Sequence, residues 1–246
     1  MESLREYTIL TQYGSIHTLE AGSGIPVIFL HGWSVSAFTC LRILRVLSQR
    51  YRILIPTIPG SDPSFKWKKN PSPEDFQEVL SEWMDKVNVK KPIVVGHSLG
   101  GIMAVLLTSA REKEIQKLIL LDTVGVSENR HSKEWISAWL RKRVQTYKRY
   151  GVATVAKYID QEFIKNAVFR TKDFWYLSKF ARQVDIREEI KSFKLPVTIV
   201  WGEEDIFTPI SIAYGIKKVA PGATIHTVSG NHDWPVFEPQ LLLKYL

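Results

Sequence analysis

The chain predicts an α/β fold: a mostly parallel sheet with helices on both faces. Three observations carry that expectation. Short β-branched runs recur along the chain and alternate with segments whose apolar residues fall at helical spacing. Several of those runs, such as Pro26-Val27-Ile28-Phe29-Leu30, are continuously apolar, as strands covered on both faces are. The stretch Ile93-Val94-Val95-Gly96-His97-Ser98-Leu99-Gly100-Gly101 passes from strand to helix within a few residues through Gly-x-Ser-x-Gly.

The elements follow in order. Arg5–Leu10 and Ser15–Glu20 alternate about Tyr13-Gly14 and predict an antiparallel hairpin. Pro26–Leu30 is the next strand and ends at His31-Gly32-Trp33. Phe38–Arg50 carries Leu41, Leu44 and Leu47 at helical spacing, and Arg52–Ile55 is a strand running into the loop Pro56–Lys69. Ser72-Pro73-Glu74-Asp75 starts a helix, with an N-cap, proline at the first helical position and acids in the first turn. Phe76, Val79, Leu80, Trp83 and Val87 give that helix one buried face. After the strand and helix around Ser98 come Lys117–Asp122 (strand), Pro196–Trp201 (strand), Ile210–Val219 (helix), Thr224–Val228 (strand) and Trp234–Leu246 (helix).

Composition narrows the class. With 45% hydrophobic and 24% charged residues the chain has the make-up of a soluble globular protein, and 246 residues suit one large α/β domain. The single cysteine, Cys40, excludes an internal disulfide and suits a reducing compartment. Met1–Glu6 lacks a basic region followed by an apolar run, and no stretch approaches the roughly 18 apolar residues of a membrane helix. A cytoplasmic protein without stable membrane insertion is expected. The net charge of +8 lies wholly in residues 126–194, which hold 16 Lys and Arg against 8 Asp and Glu.

Gly-x-Ser-x-Gly between a strand and a helix predicts a nucleophile. A turn that sharp strains the central residue and leaves no room for a Cβ at its flanks, which accounts for Gly96 and Gly100; Gly101 lets the helix pack closely. The Ser98 hydroxyl then stands clear of the sheet beside the free N–H groups of a helix start. A serine needs a base, normally a histidine oriented by a carboxylate. Six histidines are available. His232 follows a strand in Gly230-Asn231-His232-Asp233; His31 opens a loop and is expected to organise its backbone; His97 is expected to point away from the reaction. His17, His131 and His226 have no supporting context.

Four motifs in order, His31-Gly32, Gly96–Gly101, Trp201-Gly202-Glu203-Glu204-Asp205 and Gly230-Asn231-His232, make the chain resemble the α/β-hydrolase fold family. The resemblance covers residues 1–125 and 195–246 as the hydrolase core. It implies that 126–194, lying where the family inserts a variable cap, is a helical lid. It further implies catalytic Ser98, Asp205 and His232, in the chain order expected of the fold, and an oxyanion hole made by the backbone N–H groups of Trp33 and Leu99. Asp122, Glu203 and Glu204 remain alternatives for the acid, whereas Asp233 adjoins His232 too closely to buttress its ring. The family often places Asp where Thr57 stands, and its Pro-Gly-x-Gly-x-Ser loop here reads Pro59-Gly60-Ser61-Asp62-Pro63-Ser64. Related dehalogenases and epoxide hydrolases use aspartate as nucleophile, so a serine at 98 disfavours both.

No phosphate loop, metal-ligand spacing or dinucleotide fingerprint is present, so neither cofactor nor metal is expected. The 126–194 segment carries twelve of the 28 aromatic residues, and Trp33 and Trp139 are expected to touch substrate. The leading expectation is a serine carboxylesterase acting on hydrophobic esters, similar to the esterases that demethylate carrier-bound pimeloyl esters. Alternatives are a thioesterase, lactonase or C–C bond hydrolase with the same triad, or a non-catalytic binder on the same scaffold. Runs such as Arg141-Lys142-Arg143 read as a solvated helix face, and the basic excess suits an acidic partner, a carrier protein or an anionic membrane surface, better than nucleic acid.

Overall fold

The computed structural model describes residues 4–61, 65, 67, 69–126 and 132–246. Eight strands form one sheet: β1 Arg5–Thr11, β2 Gly14–Ala21, β3 Pro26–Leu30, β4 Arg52–Pro56, β5 Ile93–His97, β6 Lys117–Leu121, β7 Val197–Gly202 and β8 Thr224–Val228. Their order is β1-β2-β4-β3-β5-β6-β7-β8. The β2 strand runs antiparallel to both β1 and β4, and every other pairing is parallel.

The continuous apolar runs are read by the sheet two residues at a time, because successive side chains point to opposite faces. Ile28 and Leu30 of β3, Val94 of β5, and Leu118 and Leu120 of β6 enter one core. Val27 and Phe29, Ile93 and Val95, and Ile119 and Leu121 enter the other. Helices α2 (Pro73–Val87) and α3 (Leu99–Arg111) cover the first face, and α1 (Leu41–Leu47) covers the second. The α2 start is fixed by a full capping box: Asp75 N–H donates to Ser72 Oγ, and Ser72 N–H donates to Asp75 Oδ2.

Between β6 and β7 lie α4 (Ser132–Tyr150), α5 (Val152–Val155), a wider helical turn at Ala156–Asp160, α6 (Gln161–Phe169), α7 (Thr171–Gln183) and α8 (Arg187–Ser192). Ile186 and Ile190 tie the end of this insertion to the same core as α3 and α9 (Ser211–Val219). None of the described helices is long and apolar enough to cross a membrane.

Two expected helices are shorter than the apolar spacing suggests. In Phe38–Arg50 the first residues form a tight 3-10 turn, Ala37–Cys40, capped by the Ser36 hydroxyl. Trp234–Leu246 divides into a single turn, α10 (Trp234–Phe237), and a 3-10 stretch, Pro239–Lys244. Pro239 forces the break, since a proline nitrogen has no hydrogen to donate and Glu238 ahead of it leaves the helical region at φ −125.

Candidate active site

Every residue expected to act lies past the C-terminal ends of the parallel strands, where open α/β sheets place their ligands. Ser98 follows β5 with φ 55 and ψ −120, a backbone strain of order 1–3 kcal/mol that surrounding bonds must hold. They are on both sides of the turn. Ser98 N–H donates to Leu121 O at 3.0 Å, while Ser98 O accepts from Gly101 N at 3.0 Å and Thr123 Oγ1 at 3.2 Å. A Cβ on Gly96 would run into the Gly100 carbonyl, and one on Gly100 into the carbonyls of Leu30 and His31. The glycines are thus there for close approach, as the sequence predicts.

His232 Nε2 accepts from the Ser98 hydroxyl at 3.0 Å, and its Nδ1–H donates to Asp205 Oδ2 at 2.7 Å. Asp205 is itself gripped: Phe207 N and Thr208 N donate to Oδ1 at 2.8 and 2.9 Å, and the Thr208 hydroxyl donates to Oδ2. Burial alone would raise the Asp205 carboxyl, but His232 and the Thr208 bonds outweigh it and hold it below the usual carboxylate range. Asp122, at the end of β6, is the reverse case. Its oxygens accept from Gly202 N at 2.7 Å and Trp234 Nε1 at 2.6 Å, and burial, reinforced by the charge of Asp205, raises its carboxyl well above the usual range. Glu203 and Glu204 are exposed; Glu203 accepts from Thr227, and Glu204 pairs with Arg149 at 2.6 Å. Donor atoms of Asp122, Asp205 and His232 lie within 4.8 Å of one another, a spacing a cation could bridge. All three, however, already have hydrogen-bond partners that a metal would displace.

The other histidines divide. His31 is wholly buried: Ile58 N–H donates to its Nε2 at 3.0 Å, so Nδ1 carries the proton and donates to Gly32 O at 2.8 Å. It joins the loops after β3 and β4, as expected, and burial lowers its pKa to about 4. His97 corrects the expectation. Its ring does not turn away but lines the site and donates Nε2–H to the His232 carbonyl at 2.8 Å, so it supports the loop that carries His232. Burial, aided by His232, lowers it to about 3, and it is neutral. Thr57, where the family often has Asp, accepts from Ala37 N at 3.1 Å and closes the same loop. Asp62, Pro63 and Ser64 of that loop motif, and His131, lie outside the described residues.

A cavity of about 630 Å³, counting its open mouth, lies over Ser98 between the sheet edge and the inserted helices. Trp33, Val35, Leu99, Trp135, Trp139, Ile159, Phe207 and Val236 give it a largely apolar wall. Trp33 packs edge-on to Trp135 and donates Nε1–H to Phe174 O at 2.8 Å, so the loop after β3 is tied to the insertion. Trp139 stacks on Phe163 at 5.1 Å. The run Arg141-Lys142-Arg143 is not a solvated face. Only Arg141 is exposed, while Lys142 and Arg143 line the cavity. Lys142 Nζ donates to Asp233 Oδ1 and Oδ2 at 2.9 and 3.0 Å, and Thr146 Oγ1 donates to the same carboxylate at 2.7 Å. Burial would raise Asp233, but the Lys142 charge holds it well below the usual range. This pairing had no local signal, because its partners are 91 residues apart.

A sequence model described as the alpha/beta hydrolase fold matches residues 25–157, more than half of the chain. The chain belongs to the α/β-hydrolase fold family. Among relatives of this family member, the pimeloyl-[acyl-carrier protein] methyl ester esterase of Wigglesworthia glossinidia brevipalpis is 24% identical over 221 residues, 80% of this chain and 82% of that one. A 2-hydroxy-6-oxononadienedioate/2-hydroxy-6-oxononatrienedioate hydrolase of Pseudomonas sp is 22% identical over 95% of this chain and 92% of its own. The crystal structure of a putative aryl esterase from Burkholderia cenocepacia superposes with a TM-score of 0.79 at 20% identity, covering 98% of this α/β-hydrolase and 96% of that chain.

Proposed function

We propose that this α/β-hydrolase is a serine carboxylesterase that cleaves hydrophobic esters through an acyl-enzyme on Ser98. The observation that carries the reading is the continuous chain Ser98 Oγ, His232, Asp205, at 3.0 and 2.7 Å, on a strained turn opening into an apolar cavity. His232 Nε2 takes the hydroxyl proton as Ser98 Oγ attacks the ester carbonyl, and Asp205 keeps the other ring nitrogen protonated and stabilises the imidazolium. The developing oxyanion takes the backbone N–H groups of Leu99 and Trp33. Leu99 is the first residue of α3, whose amide has no partner within the helix, and Gly32 brings the second loop against Ser98. His232 returns the proton to the leaving alcohol, then activates the water that releases the acid.

In this reading the inserted helices of 126–194 act as the cap, and Trp33 and Trp139 border the substrate. An acidic carrier protein as the bearer of the ester is supported by the basic excess of the insertion and by the relative named for such a substrate. Thioester or lactone cleavage uses the same groups.

The test is hydrolysis of p-nitrophenyl esters from acetate to laurate, beside Ser98→Ala and fluorophosphonate labelling read by intact mass. Turnover that vanishes in Ser98→Ala, with one adduct on Ser98, is expected. An adduct without turnover moves the substrate to another acyl class; neither adduct nor turnover returns the binder reading.

A further inference from the structure

We infer that Arg143 forms an anion subsite in the wall of the active-site cavity, so that the preferred substrate is an ester bearing a second, negatively charged group such as a carboxylate. The inference rests on the hydrolase reading above and adds the chemistry of the substrate's far end.

Arg143 is only 7% exposed, yet it lines the same cavity as Ser98 and His232. A buried guanidinium is expensive unless its donors are met, and it has five of them. Those met here are few. Nη1 forms an ion pair with Asp160 Oδ1 at 3.1 Å, but that buried nitrogen has no aligned hydrogen-bond acceptor. Asp160 does not belong to Arg143 alone: its Oδ2 accepts from Tyr147 OH at 2.8 Å, and its side chain is more exposed than the arginine's. The guanidinium carbon sits 5.3 Å over the Trp139 ring and 5.7 Å over Phe163, so two aromatic faces fix its plane. This leaves a rigid, water-poor cation with donor capacity along its edge, the geometry that takes a carboxylate in two parallel bonds.

The neighbouring cation plays no such part. Both Asp233 oxygens and the Lys142 ammonium are engaged with each other, so Lys142 has little charge to offer a ligand. The remaining wall is largely apolar, which suits an aliphatic spacer between the scissile ester and the anion.

The experiment compares monoethyl adipate with ethyl hexanoate in a pH-stat, for the wild type, Arg143→Gln and Arg143→Lys. The quantity read is the ratio of kcat/KM values, anionic over neutral. A wild-type ratio of about tenfold or more, the lower range for a charge-assisted hydrogen bond, is expected, falling by a similar factor in Arg143→Gln and partly restored in Arg143→Lys. A purely structural role for Arg143 would lower both rates together and leave the ratio unmoved, which overturns the inference. So does a wild-type preference for the neutral ester. If neither ester turns over, the hydrolase reading is the one that fails, and the subsite is read separately by calorimetric titration of Ser98→Ala with monoethyl adipate. Binding lost on adding Arg143→Gln supports the subsite, and absence of binding in Ser98→Ala itself overturns it.

Discussion

Two buried aspartates stand behind His232, and exchanging each for asparagine separates the one that works with the ring from the one that holds the scaffold. In Asp205→Asn the amides of Phe207 and Thr208, at 2.8 and 2.9 Å, continue to claim the side-chain oxygen. The new NH2 then faces His232 Nδ1, now 2.7 Å from a carboxylate oxygen, and forces that nitrogen to accept. Nε2 becomes the protonated atom and cannot take the Ser98 proton. A wrong tautomer of this kind costs a factor of about 10⁴ in kcat, equivalent to about 5 kcal/mol of barrier. In Asp122→Asn the loss is of another kind. Asp122 accepts from Gly202 N on one oxygen and from Trp234 Nε1 on the other, and asparagine has one oxygen to offer both. One buried N–H is left facing an NH2, at about 1–3 kcal/mol of stability, or roughly 2–12 °C in Tm for a chain of this size. Ester hydrolysis and thermal unfolding of the two purified variants decide it. A 10⁴-fold loss in Asp122→Asn beside an active Asp205→Asn would refute the assignment and make Asp122 the orienting acid.

Three further outcomes follow from the same coordinates. His31 and His97 have folded-state pKa values of about 4 and about 3 against about 6.5 unfolded, so below pH 6.5 the unfolded chain binds more protons. Stability is therefore complete above pH 6.5 and falls as pH drops towards 4, by about 2 kcal/mol per histidine at pH 5; an unchanged Tm between about pH 7.5 and pH 5 would count against the buried neutral histidines. Gly100→Ala drives a methyl group into two strand-end carbonyls and is expected to cost about 3 kcal/mol or more, whereas Gly222→Ala meets nothing within 4 Å and should unfold as the wild type does. Lys142→Met strands the Asp233 carboxylate and should destabilise by about 3–5 kcal/mol, with most of that recovered in Lys142→Met/Asp233→Leu; chemical denaturation that shows the two changes adding would sink the pairing argument.

Much of the scaffold is readable locally because the information that builds it is local. The continuous runs of β3, β5 and β6 specify strands with two covered faces, the Ser72-Pro73 start specifies α2, and Gly96 and Gly100 specify the turn that carries Ser98. The final helix is misread for an equally local reason. Apolar spacing in Trp234–Leu246 continues through Pro239, but the backbone cannot, so one spacing spans two short elements. The support given by His97 is a different matter: a ring preceding Ser98 finds its acceptor on a carbonyl 135 residues away, and no window of sequence holds both.

The α4 helix shows why the segment between β6 and β7 is the least legible part. It has two apolar stripes, Trp135, Ala138 and Trp139 on one side and Ile136, Leu140 and Val144 on the other; in the first Trp135 and Ala138 are buried and Trp139 half-buried, while the second is exposed. Lys142 and Arg143 follow Trp135 and Trp139 at spacings of three, four, seven and eight, which places them on the inward stripe once that stripe is known. Hydropathy argues against choosing it, since it takes two cations inside. What reverses the choice is Asp233, delivered from the loop that also carries His232, which neutralises Lys142 and allows the helix to turn its basic run inward. The charge of the segment is then not one quantity: part of it lies on the surface, while Arg143 lies in the cavity wall, where the low dielectric makes a guanidinium paired only with Asp160 a stronger selector than several solvated lysines outside.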